Sequence, residues 1–121
     1  MKKKITIITP TYNSAKTLSA NIQSIQRQSY TNWQHLVIDN QSDDETLEII
    51  DKNYDVRRKV ISEKDKGIYD ALNKGITLAE GEIISILHSD DVFFDDNILT
   101  EIINKFENYN TKIVYGDLIY V

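Results

Sequence analysis

The chain of 121 residues contains no cysteine, and this absence excludes disulfide bonds, zinc-thiolate centres and a cysteine nucleophile. It also suits a reducing compartment. Basic residues are fewer than acidic ones, which gives a net charge of −5 and a pI of about 4.9. A phosphate backbone repels a protein of this charge, so the composition argues against a nucleic-acid partner.

Long hydrophobic runs are also lacking. Lys2–Lys4 precede an apolar stretch of only about five residues, Ile5–Thr9, and the chain's one proline, Pro10, follows it. This run is too short for the core of a signal peptide or for a membrane span. Because no repeat or linker is present, the sequence predicts one soluble, cytoplasmic domain over residues 1–121. Peripheral attachment to the inner face of a membrane and homo-oligomer formation stay open.

Glycine is scarce as well, with four residues in the whole chain. The two glycine-rich phosphate-binding patterns, GxGxxG and GxxxxGK followed by Ser or Thr, do not occur. Any phosphate bound by this chain must therefore find its counter-charge somewhere other than the backbone amides of a helix start.

Apolar runs and helical apolar periodicity alternate along the chain. The runs predict strands at Ile5–Thr9, Gln34–Ile38, Arg57–Ser62, Ile83–Leu87 and Lys112–Tyr115, and the start of another at Leu118–Val121. Pro10 is expected to end the first strand, and the charged start of the third is typical of a sheet edge. The fourth run is apolar on both faces, as in a strand buried on both sides.

Helices are predicted between these strands. The first spans about Ala15 to Gln28, and the second ends near Asn53. The third and fourth each carry an apolar face, formed by Ile68, Leu72, Ile76 and Ala79 in the third and by Leu99, Ile102, Ile103 and Phe106 in the fourth. The predicted caps are Ser14, the pair Ser42 and Glu45, and Asp95 or Asp96, with Gly81 ending the third helix. This alternation predicts an α/β fold, a three-layer α/β/α sandwich around a mostly parallel sheet.

Three polar segments each follow directly on a strand: Pro10–Asn13, Asp39–Ser42 and His88–Asp91. The carboxyl ends of parallel strands meet at one edge of a sheet, where ligands bind in α/β proteins, so we expect these segments to converge. The turn at 63–67, EKDKG, leads toward the same edge.

Two adjacent carboxylates, Asp90 and Asp91, end the fourth predicted strand. Neighbouring carboxylates repel each other unless a cation or a set of donors lies between them. Mg²⁺ and Mn²⁺ prefer carboxylate oxygens, water and substrate phosphates as ligands. The pair therefore predicts a divalent metal that carries a diphosphate. Tyr12 could stack on a base, and Asp39 could accept hydrogen bonds from a base edge.

Four segments resemble the family 2 glycosyltransferases, and more closely the bacterial surface-polysaccharide enzymes of that family: TPTYN at 9–13, VIDNQSDDET at 37–46, EKDKGIYDALNKG at 63–75 and AEGEIISILHSDD at 79–91. The resemblance covers essentially the whole chain. It implies the GT-A fold of nucleotide-diphospho-sugar transferases, a UDP-sugar or similar donor, and a saccharide or lipid-linked acceptor. It also implies transfer with inversion of the anomeric carbon.

The resemblance assigns residues as well. Donor-binding roles would fall on Pro10, Thr11, Tyr12, Asp39, Asn40, Asp65, Gly67, Asn73 and Ser89, and the last acid of the D-x-D metal motif on Asp90, with Asp91 beside it. The first acid of that motif is replaced by His88, and the second acid after strand two by Asn40. The family's catalytic base would lie beyond Val121. We therefore expect a truncated chain, the donor-nucleotide-binding half, which binds donor but transfers sugar slowly or not at all.

Simpler interpretations stand beside these. Asp90 and Asp91 could form an ordinary turn, and His88 could merely line a pocket. The chain could also be a non-catalytic nucleotide-sugar-binding module. A receiver-like signalling domain is of similar size, but it needs an acid pair after strand one, where this chain has Pro10–Tyr12.

Overall fold

One sheet of five parallel strands organises the computed structural model, which describes residues 3–108 and the backbone of residues 113–115. The strands are β1 (Ile5–Thr11), β2 (Trp33–Asp39), β3 (Arg58–Ser62), β4 (Ile83–Ile86) and β5 (Ile113–Tyr115). The helices are α1 (Ala15–Gln26), α2 (Thr46–Lys52), α3 (Ile68–Leu78) and α4 (Ile98–Phe106). The strand predicted at Leu118–Val121 lies outside the described residues.

The strand order is β3-β2-β1-β4-β5, with β3 at an edge as predicted. This order reverses between β1 and β4, and ligands of doubly wound α/β proteins bind at that switch point. A receiver-like domain has the order 2-1-3-4-5 instead. The receiver alternative is therefore wrong.

The core forms two apolar layers, one on each face of the sheet. On one face, α1 and α4 pack on Ile5 and Ile7, and Val37 packs with α1 and α2. On the other face, Ile8 and Ile84 pack against α3. The predicted three-layer α/β/α sandwich is confirmed. The helices of the described part are all too short or too polar to cross a membrane.

The prediction that Pro10 ends β1 is wrong, because the strand continues to Thr11. The reason lies in the ladder geometry. The carbonyl of Ile8 accepts the N–H of Leu87 on the β4 side, and Pro10, two residues on, faces the same side. The pairing of β1 with β4 stops at Ile86, so the missing proline N–H removes no ladder bond.

Four predicted helix limits also need correction. The first helix ends at Gln26, not Gln28, and α2 begins at Thr46 because Ser42 bonds to Asp39 instead of capping it. The last helix starts after Asn97, whose N–H Asp95 accepts. Gly81 lies beyond the end of α3, and a Cβ there would come within 2.6 Å of the Lys4 carbonyl oxygen. It is therefore a close-packing residue.

Arg58, at the charged start of β3, is buried and not solvated. Its guanidinium donates to Nδ1 of His35 (2.8 Å), the carbonyl of Asn53 (2.7 Å) and Oε1 of Gln26 (2.6 Å). Burial lowers the pKa of Arg58 to about 10, so it stays charged at neutral pH. Burial and this neighbouring cation hold the pKa of His35 well below its ordinary value, and the neutral ring bonds Thr9 through Nε2 (2.8 Å). The cation thus anchors the edge strand.

Candidate functional site

A pocket of about 210 Å³ lies at the carboxyl edge of the sheet, between the ends of β1 and β2 and the start of α3. It brings together most of the predicted donor-binding residues. Its lining consists of Pro10, Thr11, Tyr12, Asn40, Asp65, Gly67, Ile68 and Ala71. Sites that enclose a whole small ligand measure roughly 300–1,000 Å³. This pocket therefore suits one part of a larger ligand.

Hydrogen bonds within the pocket wall fix the orientation of Asn40. Its Oδ1 accepts the backbone N–H of Asp65 (2.9 Å), and the Asp65 carboxylate accepts the N–H of Gly67 (2.9 Å). The NH₂ end of the Asn40 amide is thus the end that can face a ligand. Gly67 has a φ of +118°, and a Cβ there would meet nothing within 4 Å. The backbone conformation, and not the space, therefore requires glycine.

Tyr12 is the aromatic residue of the pocket rim, and 60% of its surface is exposed. Its backbone N–H donates to Oγ of Ser14 at 3.2 Å, which fixes the chain from which the ring projects. An aromatic ring with an exposed face can stack on a planar ligand.

Asp39 lies beside the pocket with no exposed surface and four hydrogen bonds. Oδ1 accepts the hydroxyls of Thr11 (2.7 Å) and Ser42 (2.6 Å). Oδ2 accepts the backbone N–H of Ser42 (2.9 Å) and the hydroxyl of Ser62 (2.8 Å). Burial opposes ionisation, but the bonds from Ser42, Thr11 and Ser62 outweigh it and lower the pKa of Asp39 below its ordinary value. The carboxylate thus joins the ends of β1, β2 and β3.

These four bonds bear on the predicted contact between Asp39 and a base. An ionised carboxylate offers about four acceptor positions, and residues of the chain itself occupy four. Contact with a base would require one of these bonds to be exchanged. The geometry makes Asp39 first of all the residue that shapes this edge of the sheet.

The acidic pair belongs to a tight turn after β4. The N–H of Asp91 donates to the carbonyl of His88 at 3.0 Å and closes the turn. The side-chain NH₂ of Asn21, from α1, donates to the carbonyls of His88 (2.9 Å) and Asp91 (3.0 Å). Asp90 is exposed at the tip and Asp91 is half-buried. Because the turn follows β4, which lies next to β1, both acids lie at the point where the strand order reverses.

The donor set of this turn fits a divalent cation only in part. Asp90 and Asp91 supply hard carboxylate oxygens, but nowhere in the described part of the chain do three His, Cys, Asp or Glu residues form a group able to hold a metal. Mg²⁺ is commonly bound by one or two carboxylates together with substrate phosphates and water. The turn thus fits a cation that arrives with, or is completed by, a phosphate ligand.

Side-chain hydrogen bonds join the three polar segments, as predicted from their strand ends. The N–H of Asn13 donates to the hydroxyl of Ser42 (2.9 Å), and the hydroxyl of Ser14, the residue after the first segment, donates to that of Ser89 (3.0 Å). Asn13 and Gln41 have φ of 47° and 50°, the left-handed region that is uncommon outside glycine. The segments therefore form one connected edge.

The structure does not bring Asn73 to the pocket. It is exposed on α3, where it lines a second depression together with Glu63 and Asp70. Ser89 lies on the acidic turn and not in the pocket wall. Sequence reasoning also missed Asn21, whose signal was a polar residue within the apolar face formed by Leu18, Ile22 and Ile25.

An all-parallel sheet with its polar loops gathered at the strand-order switch defines an α/β protein that binds its ligand at the carboxyl edge. Comparison with known proteins narrows this class. The sequence model of Glycosyl transferase family 2 matches residues 6–121. The chain belongs to this family, and the predicted resemblance is confirmed.

Curated relatives agree with this assignment. The chain is 35% identical over 114 residues to the UDP-Glc:alpha-D-GlcNAc-diphosphoundecaprenol beta-1,3-glucosyltransferase WfgD of Escherichia coli, covering 93% of this chain and 45% of that protein. It is 35% identical over 117 residues to a PGL/p-HBAD biosynthesis glycosyltransferase of Mycobacterium tuberculosis, covering 93% and 46%. The chain thus spans about half the length of these relatives.

Solved structures support the GT-A fold. TarS 1-349 of S. aureus in complex with UDP-GlcNAc superimposes with a TM-score of 0.81 at 27% identity, covering 90% of this chain and 32% of that one. The mannosyltransferase PcManGT of Pyrobaculum calidifontis, in complex with GDP-Man and Mn²⁺, gives a TM-score of 0.83 at 24% identity, covering 90% and 34%. At that identity the second match supports the fold alone.

Proposed function

We propose that this chain binds the nucleotide-diphosphate sugar, a UDP-sugar, for an inverting family 2 glycosyltransferase of bacterial polysaccharide biosynthesis. The observation that carries the proposal is the pocket, because its lining includes Tyr12, Asn40 and Asp65 at the edge that also holds Asp90. UDP-GlcNAc is the ligand in the TarS complex, and UDP-Glc is the donor in the name of the E. coli relative. That name also includes a lipid-linked acceptor, which supports an acceptor of this class here.

Each group at the site has a defined task under this proposal. The ring of Tyr12 stacks on the base, and the NH₂ of Asn40 donates to a base carbonyl. Asp39 keeps the strand ends together beneath them. Asp90 and Asp91 would hold Mg²⁺ or Mn²⁺ against the diphosphate. When bound, such a cation supplies positive charge that stabilises the departing nucleoside diphosphate.

The distances support one continuous site. Oγ of Ser14 accepts the N–H of Tyr12 and donates to Ser89, the neighbour of Asp90. Two hydrogen bonds therefore separate the backbone of the pocket rim from the acidic turn. A nucleoside in the pocket would place its diphosphate toward this turn, where the carboxylates can share a cation with it.

Calorimetric titration of UDP, GDP, CDP and ADP, with and without Mn²⁺, tests the proposal. We expect wild type to bind UDP only when Mn²⁺ is present. In Asp90→Ala, Mn²⁺ should no longer increase the affinity for UDP, and most of that affinity should be lost. Asp51→Ala is the matched control, because it removes an equal charge from an exposed position on α2. Equal binding by wild type and Asp90→Ala would remove Asp90 from the metal role, and preference for another diphosphate would overturn the UDP assignment.

A further inference from the structure

We infer that Asn21 is a positioning residue that holds the acidic turn in the shape in which Asp90 and Asp91 can share a cation; this inference rests on the proposed function. Asn21 lies in α1 with no exposed surface. Its NH₂ group donates to the carbonyl of His88 at 2.9 Å and to the carbonyl of Asp91 at 3.0 Å. These two residues are the first and last of the turn.

The chemistry of the position calls for two donors on one atom. A carboxylate offers none, and a hydroxyl offers only one, so an amide is the smallest side chain that can bridge two carbonyl oxygens. The bridge has a disadvantage, since Oδ1 of Asn21 is buried and accepts no hydrogen bond in the described part of the chain. An apolar residue would avoid that unpaired oxygen. The presence of asparagine at position 21 thus keeps the bridge to the turn at the cost of one buried oxygen without a hydrogen bond.

The bridge acts against the repulsion within the turn. Asp90 and Asp91 are adjacent acids, and their like charges disfavour an arrangement in which both carboxylates approach one point. The Asp91 N–H bond to His88 closes the turn, and the Asn21 bridge ties both of its ends to a rigid helix. A turn that is ordered before the cation arrives loses less conformational freedom on binding.

Gln28, two residues beyond the end of α1, provides a matched control. Like Asn21 it is a buried amide, and its Nε2 donates to carbonyls of Ser24 (3.2 Å) and Asp95 (2.7 Å). Its bonds reach Ser24 and the segment before α4, and its Oε1 accepts the N–H of Leu99 in α4 (3.1 Å), so none of them reaches the acidic turn. Asn21→Leu and Gln28→Leu both remove a buried amide that donates to two backbone carbonyls, but only the first removes contacts with the acidic turn.

Two measurements separate the positioning role from a general loss of stability. In calorimetry with UDP, we expect Asn21→Leu to raise the Mn²⁺ concentration required for half-saturation by about 10-fold or more, the usual effect of removing a residue that orients metal ligands. Gln28→Leu should leave it unchanged. In hydrogen exchange without ligand, the Asp91 amide should exchange faster in Asn21→Leu alone. If Asn21→Leu does not fold, Asn21→Ser, which keeps one donor, should give intermediate values.

The outcomes distinguish this inference from the proposed function. Equal Mn²⁺ requirements and equal Asp91 exchange in the Asn21 and Gln28 variants would overturn the positioning role while leaving the donor site intact. Absence of Mn²⁺-dependent UDP binding in the wild type would overturn the proposed function and, with it, the role of Asn21 in cation binding.

Discussion

Asp39 should be the polar residue whose loss most destabilises the ligand-binding edge. Asp39→Ala removes one carboxylate from four donors, three hydroxyls and the N–H of Ser42. The hydroxyls can rotate toward other acceptors, but the backbone N–H cannot. A net contribution of about 1 kcal/mol for each hydroxyl bond and about 1–3 kcal/mol for the stranded amide gives roughly 4–6 kcal/mol.

Relief from burying a charge offsets part of this loss. We therefore expect Asp39→Ala to lower the free energy of unfolding by about 3–5 kcal/mol. Asp39→Asn should lose less, because its oxygen can still accept the Ser42 N–H while the hydroxyls turn to accept its NH₂.

Urea unfolding followed by circular dichroism at pH 7 measures these differences. Ser62→Ala is the reference, since it removes one of the four bonds and should lower the free energy of unfolding by about 1 kcal/mol. If Asp39→Ala were no more destabilising than Ser62→Ala, the carboxylate would not join the strand ends, and the argument from its four bonds would be refuted.

Two further predictions follow from the same edge. The folded-state pKa of Asp39 is lowered, so its ionised form stabilises the fold above the unfolded pKa of roughly 3.9, and this contribution disappears as the pH falls through the folded value. Between pH 7 and pH 3, urea unfolding should therefore show a smaller loss of unfolding free energy for Asp39→Asn than for wild type. Equal losses of unfolding free energy would contradict the assignment. Tyr12→Ala should weaken UDP binding by about 1–3 kcal/mol, the usual value of base stacking. Because Tyr12 is 60% exposed, the substitution should not alter the unfolding midpoint. Tyr69→Ala is the control in the calorimetric titration, since Tyr69 is also exposed, at 81%.

The sequence predicted the architecture because the strands carry unambiguous apolar runs. It also predicted the meeting of the polar segments, since parallel strands leave no other place for their carboxyl ends. Local rules failed where a tertiary partner decided the outcome. Ser42 has the spacing of a helix cap, but its hydroxyl donates to the buried carboxylate of Asp39 instead. Pro10 stays within a strand because the neighbouring strand has already ended.

The candidate site was predicted in the same partial way. Motif residues such as Asp65 and Gly67 line the pocket, whereas Asn73 does not, because its place on α3 turns it toward solvent. Asn21 could not be found by motif, since its partners are backbone carbonyls that no side-chain pattern reveals. The sequence shows a polar residue on an apolar helix face, but only the structure shows that its NH₂ group bonds the turn after β4.

The continuation of β1 through Pro10 has a consequence for recognition. Pro10 and Thr11 line the pocket while still in register with Ile38 and Asp39 of β2. Under the proposed function, a nucleoside would therefore contact the main chain of β1. The ladder with β2 holds this main chain on one side, and the pyrrolidine ring of Pro10 stiffens it. Selectivity for the base should then reside in the rim, where side chains alone can adapt, and exchange of rim residues should alter base preference without altering the fold.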